Sequence, residues 1–387
     1  MSHKIHVLHL RDSSGIYGAE RVILTLGRNI DQRRFKFSLL CMSRSDASNR
    51  ELIAAAHSLG IKVNQIGVEG RLNLRSVVGI RGFLKRNKVD IIHTHDFKSD
   101  FYGFMATVFL PIRRIATAHG STRDSRIKRI YLFLAEKIFY RYFDKILAVS
   151  DDLKKFLIGR KVPYPKIEMI RNGFDFHVLA NDTTPDNLEL DFDPSDYRVF
   201  GIVGRLFPDK GHDFFLEAFK SVKEMHNNIK ALIIGDGPAR EFIGNKIKKL
   251  GLDNDVYMLG FRNDIKKYYQ VLDYLVMPSV REGLPYTLLE AMYLKIPVLA
   301  TQVGDIPLVI ENNKTGILIP PGNSSALSQA MSEMLSDSGK CLRFADQGYK
   351  RVNQFFSGEE MTRKTELLYE KLCLKRNRQK IIPGNHF

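Results

Sequence analysis

At 387 residues the chain exceeds the size at which one hydrophobic core keeps growing, so two domains of about 150 to 200 residues each are expected. Apolar residues at 44% and charged residues at 26% are ordinary for a soluble globular protein and exclude a disordered or fibrous chain. The formal net charge of +16 lies wholly in the first half: residues 1–180 carry 32 Lys and Arg against 16 Asp and Glu, whereas residues 181–387 carry 27 of each. Such a one-sided field points to an anionic partner, such as a phospholipid surface, a phosphorylated acceptor or nucleic acid.

The chain opens on a strand-like alternation, Lys4-Ile5-His6-Val7-Leu8-His9-Leu10, without the apolar core of a signal peptide. Short apolar runs at 5–10, 37–42, 63–66, 91–94, 114–118 and 145–149 then alternate with helical patterns or loops, which predicts a parallel sheet covered on both faces. The most apolar stretch, 101–112, is too short for a bilayer that needs roughly 20 residues, and it reads as a buried helix. Residues 181–196 are rich in Asp, Pro, Asn and Thr without helical period and read as a linker. A second alternating series follows, with strands at 199–203, 230–234, 256–259, 274–277, 298–300 and 316–319. The expected organisation is therefore an N-terminal domain over 1–180, a linker over 181–196, a C-terminal domain over 197–357 and a final helical segment over 358–387 that packs back toward the first domain. That segment carries Leu367, Leu368, Leu372 and Leu374 on a partly apolar face. Doubly wound sheets bind ligands at the carboxyl ends of their strands, so two such domains facing each other would place the site in a cleft between them.

The chemistry-bearing motifs sit at those strand ends. In Val203-Gly204-Arg205-Leu206-Phe207-Pro208-Asp209-Lys210-Gly211, Arg205 and Lys210 place two cations between a strand and the start of a helix, where free backbone N–H groups also favour anions. A diphosphate fits such a place. Gly235-Asp236-Gly237 is a second strand-to-helix turn, and Gly260-Phe261 ends a further strand with an aromatic residue suited to a nucleobase. In Glu282-Gly283-Leu284-Pro285-Tyr286-Thr287-Leu288-Leu289-Glu290, the first carboxylate falls in a loop and the second about one turn into a helix, so the two can reach different hydroxyl groups of one ligand. In the first half, Gly15 and Gly18 lie between the first strand and a helix without the spacing of a dinucleotide fingerprint, which disfavours an NAD-dependent oxidoreductase. His119-Gly120 follows a strand, and Asn172-Gly173 reads as a turn or a wall of the site.

Taken in this order, Gly18-Ala19-Glu20, His119-Gly120, Val149-Ser150, Asn172-Gly173, the Gly204-Arg205 to Lys210-Gly211 run, Gly235-Asp236-Gly237 and the Glu282/Glu290 pair resemble the family 4 retaining glycosyltransferases of the GT-B fold, over nearly the whole chain. The subgroup that builds exopolysaccharide, capsule or lipopolysaccharide is the most similar. The resemblance implies two Rossmann-like doubly wound domains facing across a cleft, and transfer of a sugar from a nucleotide donor, UDP-linked rather than GDP-linked, to a glycan or lipid-linked acceptor with retention of configuration. It implies that Arg205 and Lys210 hold the diphosphate, Glu290 the ribose hydroxyls, and Glu282 with Gly283, Leu284, Pro285 and Tyr286 the donor sugar. Gly235, Gly260 and Phe261 would line the donor site, Gly18 would approach the phosphates, and His119 would contact the sugar near the reacting carbon. After Gly304, Asp305 and Leu308 stand where the family usually has a second glycine and an acidic residue, which weakens any inference about which sugar is carried.

No cofactor or metal is expected. Asp191-Phe192-Asp193 is the one suggestive D-x-D and reads as solvated linker, while two fixed cations and helix N-termini can do the electrostatic work of a divalent ion. Cys41, Cys341 and Cys373 are scattered, with neither paired nor metal-ligand spacing, as in a cytoplasmic protein. The basic stretch from Arg123 to Lys145, interleaved with Ile130, Leu132, Phe133 and Phe139, suits a helix lying on anionic lipid, so peripheral placement at the inner membrane face is expected. A nucleotide-sugar epimerase or hydrolase on the same scaffold, and a non-catalytic basic binding protein, are the alternatives. Nothing resembling a specific nucleic-acid ribbon or zinc pattern supports the latter.

Overall fold

The computed structural model describes residues 4–13, 15–16, 18–43, 49–68, 73–119, 139–179 and 188–381, with side chains through residue 374 apart from Val178. The chain forms two compact units, one comprising Met1–Phe174 with Gly358–Phe387 and the other Asp175–Ser357.

The first unit is a seven-stranded sheet in the order β3-β2-β1-β4-β5-β6-β7, every pairing parallel. Its strands are β1 (Ile5–Arg11), β2 (Phe35–Ser43), β3 (Lys62–Gly67), β4 (Ile91–Thr94), β5 (Arg113–Ala118), β6 (Lys145–Ala148) and β7 (Ile167–Met169). The inner strands are covered on both faces: β4 is buried at all four positions, His93 and Thr94 included, and β1 at its five central ones, His6 and His9 included. Helices α1 (Gly18–Asn29), α2 (Arg50–Ser58), α3 (Leu74–Arg86), α4 (Phe97–Thr107) and α5 (Asp151–Gly159) connect them. Their starts follow local chemistry. Asn73 accepts from the backbone N–H of Arg75 and Ser76, Asp96 and Ser99 form a reciprocal capping box, and Ser150 accepts from Leu153.

The apolar run at 101–112 does not form one buried helix. Helix α4 starts earlier, at its Asp96 cap, and ends at Thr107; beyond it Phe109 takes a left-handed φ of 60° and is 95% exposed. Most of the basic amphipathic stretch, residues 120–138, lies outside the described residues.

The second unit is a six-stranded parallel sheet, β10-β9-β8-β11-β12-β13. These strands are β8 (Arg198–Val203), β9 (Ile229–Ile234), β10 (Val256–Gly260), β11 (Tyr274–Met277), β12 (Val298–Thr301) and β13 (Ile317–Ile319). Helices α6 (His212–Lys223), α7 (Arg240–Lys249), α8 (Ile265–Tyr269), α9 (Tyr286–Tyr293), α10 (Ile306–Val309), α11 (Ser324–Ser336) and α12 (Ser338–Phe356) complete it. Phe200, Phe215, Phe219, Ile233, Leu299 and Met331 lie in its main core.

The last helix, α13 (Gly358–Ile381), belongs to the first unit. It buries Met361, Thr365, Leu368, Tyr369 and Leu372, a stripe at helical spacing. Leu367 and Leu374 instead stand 50% and 64% exposed, because the stripe through 361, 365, 368 and 372 turns them away from the sheet. Glu366 accepts from the backbone N–H of Asp31 at 2.7 Å, and Glu370 pairs with Arg34.

Candidate active site

The sequence-singled residues of the second unit gather where β8, β9, β10 and β11 end. The loops after these strands and the end of β12 are pressed together by three hydrogen bonds. Gly235 N–H donates to the Gly260 carbonyl at 2.8 Å, Val280 N–H to that of Asp209 at 2.8 Å, and the Thr301 hydroxyl to that of Ser279 at 2.5 Å. Contact is so close that a Cβ on Gly235 would lie 1.8 Å from the Gly204 carbonyl oxygen, and φ is 142° there. Only glycine satisfies both conditions.

Within this cluster Lys210 Nζ donates to Glu282 Oε1 at 2.6 Å, and the Ser279 hydroxyl donates to the same oxygen at 2.8 Å. Two residues read separately as a phosphate cation and a sugar acceptor are thus one hydrogen-bonded pair. Arg205 is exposed, its guanidinium 4.4 Å from the Phe207 ring centroid, with no carboxylate partner among the described residues. Its charge is available to an anion. Glu290 sits in the second turn of α9, where its Oε2 accepts from the Tyr269 hydroxyl at 2.8 Å. Burial and the neighbouring Glu290 carboxylate push the Tyr269 phenol well above its ordinary range, so it remains a donor. Helix α9 begins after Pro285 without a side-chain cap, and the start of a helix favours an anion. Gly283, Leu284 and Pro285 form the turn into it, Tyr286 is its first residue, and Phe261 stands 71% exposed beyond Gly260. His212 at the start of α6 is buried, both ring nitrogens without a hydrogen-bond partner among the described residues, and burial pushes it down to about 4. The Asp193 carboxylate accepts from the Ser195 N–H and hydroxyl, which makes it the cap of a short turn.

In the first unit the matching strand ends hold a charged cluster. Arg11 donates to Glu20 at 2.7 Å and to the His95 carbonyl at 2.9 Å, and also pairs with Asp96 at 3.2 Å; Lys98 pairs with Asp12 at 2.8 Å. Burial alone would raise the Glu20 carboxyl, but the Ser13 hydroxyl and Arg11 outweigh it and hold it below its ordinary value. Gly18, the first residue of α1, is exposed, and a Cβ there would meet nothing within 4 Å. His119, just past β5, is partly buried and bonds through Nε2 to His95 Nδ1 at 3.2 Å; Gly120 lies outside the described residues. Asn172 and Gly173 form no regular element, and the Gly173 N–H points to the Met361 sulfur at 3.1 Å.

Sequence reasoning did not single out His9, His93 and His95. Their signal was available: His93 and His95 are two residues apart, on one face of β4 and its extension, His9 stands opposite His93 on the neighbouring β1, and β4 also pairs with β5, the strand that leads to His119.

Residues 16–178 match the model described as Glycosyltransferase Family 4, and residues 191–351 match that described as Glycosyl transferases group 1. The chain is similar to the UDP-Gal:alpha-D-GlcNAc-diphosphoundecaprenol alpha-1,3-galactosyltransferase of Escherichia coli, at 25% identity over 86% of this chain and 89% of that one. It is also similar to the capsular polysaccharide biosynthesis glycosyltransferase CapM of Staphylococcus aureus, at 26% identity over 77% and 80%. Among solved structures, Anabaena HepE in complex with UDP matches with a TM-score of 0.78 at 20% identity, covering 95% of this chain and 100% of that one.

Proposed function

Because the chain belongs to the GT-B glycosyltransferases, family 4 in its N-terminal part and group 1 in its C-terminal part, we propose that it transfers a sugar from a UDP-sugar to a glycan or lipid-linked acceptor in cell-surface polysaccharide biosynthesis. The observation that carries this reading is the convergence of Arg205, the Lys210–Glu282 pair, Glu290 and the uncapped start of α9 at one end of the second sheet. Arg205 and Lys210 hold the donor diphosphate and stabilise the charge that grows on it as the glycosidic bond breaks. Glu290 accepts from ribose hydroxyls, with Tyr269 fixing its carboxylate. Glu282 and the turn Gly283 to Tyr286 hold the sugar, Gly235, Gly260 and Phe261 border the nucleotide, and Gly18 and His119 serve from the first unit.

We further propose that configuration is retained, with the acceptor attacking the face from which the diphosphate leaves, and that no divalent ion is needed. Arg205, Lys210 and the helix start supply the positive field, and Asp193 is engaged as a turn cap. Transfer in excess chelator, with the product anomer read by NMR, tests both points: inversion or dependence on added metal would overturn them.

The donor reading is tested by thermal shift with UDP, GDP, ADP and their sugar conjugates, since a ligand at 100 times its Kd stabilises by about 2.7 kcal/mol. UDP compounds should raise the melting temperature and the others should not; selective stabilisation by GDP or ADP would contradict the assignment. No helix among the described residues is long and apolar enough to cross a membrane. The basic first half, with 32 cationic against 16 anionic residues, supports peripheral placement on anionic lipid at the inner membrane face. Failure to sediment with anionic vesicles at low salt would remove that part of the proposal.

A further inference from the structure

Four imidazoles and a tyrosine form one continuous hydrogen-bonded row inside the first unit. His9 stands opposite His93 in the β1–β4 ladder, His95 lies two residues past His93, and Thr117 and His119 alternate along the adjoining β5 segment. His9, His93 and His95 are fully buried. His9 Nδ1 meets His95 Nε2 at 2.8 Å, and His95 Nδ1 meets His119 Nε2 at 3.2 Å. The ring planes differ by only 19° and 27°, and centroid separations of 5.0 and 5.5 Å show rings meeting nitrogen to nitrogen, edge to edge. From α13 the Tyr369 hydroxyl carries the row onward, 3.3 Å from His9 Nε2 and 2.7 Å from His93 Nδ1, and His93 Nε2 ends it at Thr117 Oγ1, 2.7 Å away. Both nitrogens of His9, His93 and His95 are engaged in this row, so it is not a set of imidazoles open to a metal ion.

A neutral imidazole donates from one nitrogen and accepts at the other, and a hydroxyl donates once. The row is therefore polarised as a whole, in one direction or the other. Thr117 decides which. Its hydroxyl is buried and has no partner other than His93 among the described residues, so it satisfies its O–H only by donating to His93 Nε2. His93 then donates from Nδ1 to Tyr369, Tyr369 to His9 Nε2, His9 from Nδ1 to His95 Nε2, and His95 from Nδ1 to His119 Nε2.

We propose that this row holds His119 as the neutral Nδ1–H tautomer, making the nitrogen outside the row a fixed hydrogen-bond donor and never a base, with His95, His9, Tyr369 and His93 as positioning residues. The row's neutrality agrees with burial, which pushes His9 and His119 down to about 3, aided at His119 by the Arg11 charge, and takes His93 and His95 well below their ordinary value. The inference rests on the reading of His119 as a contact to the donor sugar. In that place a fixed N–H donates to a sugar hydroxyl or to an oxygen of the departing diphosphate.

The test is long-range proton–nitrogen correlation NMR on the full chain with 15N-labelled histidine, without donor, His119→Asn assigning the His119 signal. The expected result is a single Nδ1–H pattern for His119 in the wild type. An Nε2–H pattern or an averaged one overturns the proposal. In His95→Phe, His119 should lose its single pattern, and an unchanged His119 signal would also overturn it. Because the spectra need no substrate, failure of the row and failure of the transferase reading are distinguishable.

Discussion

Lys210 Nζ and Glu282 Oε1 lie 2.6 Å apart although 72 residues separate them in the chain. Lys210 precedes α6, Glu282 precedes α9, and the pair ties the β8 and β11 loops together at the proposed donor diphosphate. Removing the cation leaves the nearly buried Glu282 carboxylate with the Ser279 hydroxyl as its remaining partner in this pair of bonds. Lys210→Met should therefore destabilise the second unit by about 1–3 kcal/mol and also weaken donor binding. Glu282→Gln keeps an acceptor for both donors and should change stability by less. Urea unfolding with nucleotide titration compares the two, and equal stability losses would contradict the arrangement.

Two glycines separate packing from function. Gly235→Ala drives a Cβ into the Gly204 carbonyl at a left-handed φ, so it should cost the second unit more than about 4 kcal/mol or prevent its folding. Gly18→Ala meets nothing, and its stability should stay within about 0.5 kcal/mol of wild type while transfer falls. Thermal melts beside an activity assay check both. Full activity in Gly18→Ala would remove that residue from the phosphate site.

Tyr269 and Glu290 should separate binding from chemistry. Tyr269→Phe removes the 2.8 Å donor that orients Glu290 and should raise the donor KM by roughly tenfold with kcat nearly kept, a loss of uniform binding. Glu290→Ala should abolish measurable transfer without unfolding the protein. A fall in kcat alone for Tyr269→Phe would place Glu290 at the reacting bond instead.

The first unit should be most stable near pH 6.5. His9, whose folded value is about 3, and His93 and His95, well below their ordinary 6.5, bind protons only when unfolded as pH falls below about 6.5. Each removes up to about 1.4 kcal/mol per pH unit on that side. Asp100 has the opposite sign: burial raises it to about 8, so its contribution is complete below the unfolded value of 3.8 and is lost as pH rises through 8. Between 3.8 and 6.5 these histidines, with His119 at about 3 beside them, outweigh it, and between 6.5 and 8 no lowered histidine opposes it. Asp100→Asn should flatten the alkaline side of a denaturation profile and steepen the acid side between 3.8 and 6.5, where Asp100 opposes the histidines; a wild-type profile that climbs steadily to pH 8 would contradict this.

The sheets were largely legible because strands buried on both faces leave short runs rich in apolar residues, continuous at 274–277 and led by Ile91 and Ile92 at 91–94, and at both places the expected and observed bounds coincide. The residues of the proposed donor site could be singled out because their motifs follow strand ends, positions that local sequence marks with glycine. The Lys210–Glu282 bond was not, since it depends on β8 and β11 being neighbours in a sheet whose order is not chain order. The histidine row was hidden for the same reason: His9 and His95 meet through the β1–β4 pairing, and Tyr369 arrives from a helix 360 residues beyond His9. Leu367 and Leu374 show the complementary limit, as a helix with several leucines does not announce which of two stripes faces the sheet.

The central claim is sugar transfer driven by the cations at the end of β8, and its most direct measurement is mass-spectrometric detection of product from a UDP-sugar panel and a polyprenyl-diphosphate-linked sugar, with wild type and Arg205→Ala side by side. Wild type should glycosylate the lipid-linked acceptor, and Arg205→Ala, folded as shown by its melt, should lose at least about 100-fold. Wild-type turnover in Arg205→Ala, or release of free sugar from wild type at the same rate with and without acceptor, would contradict the account.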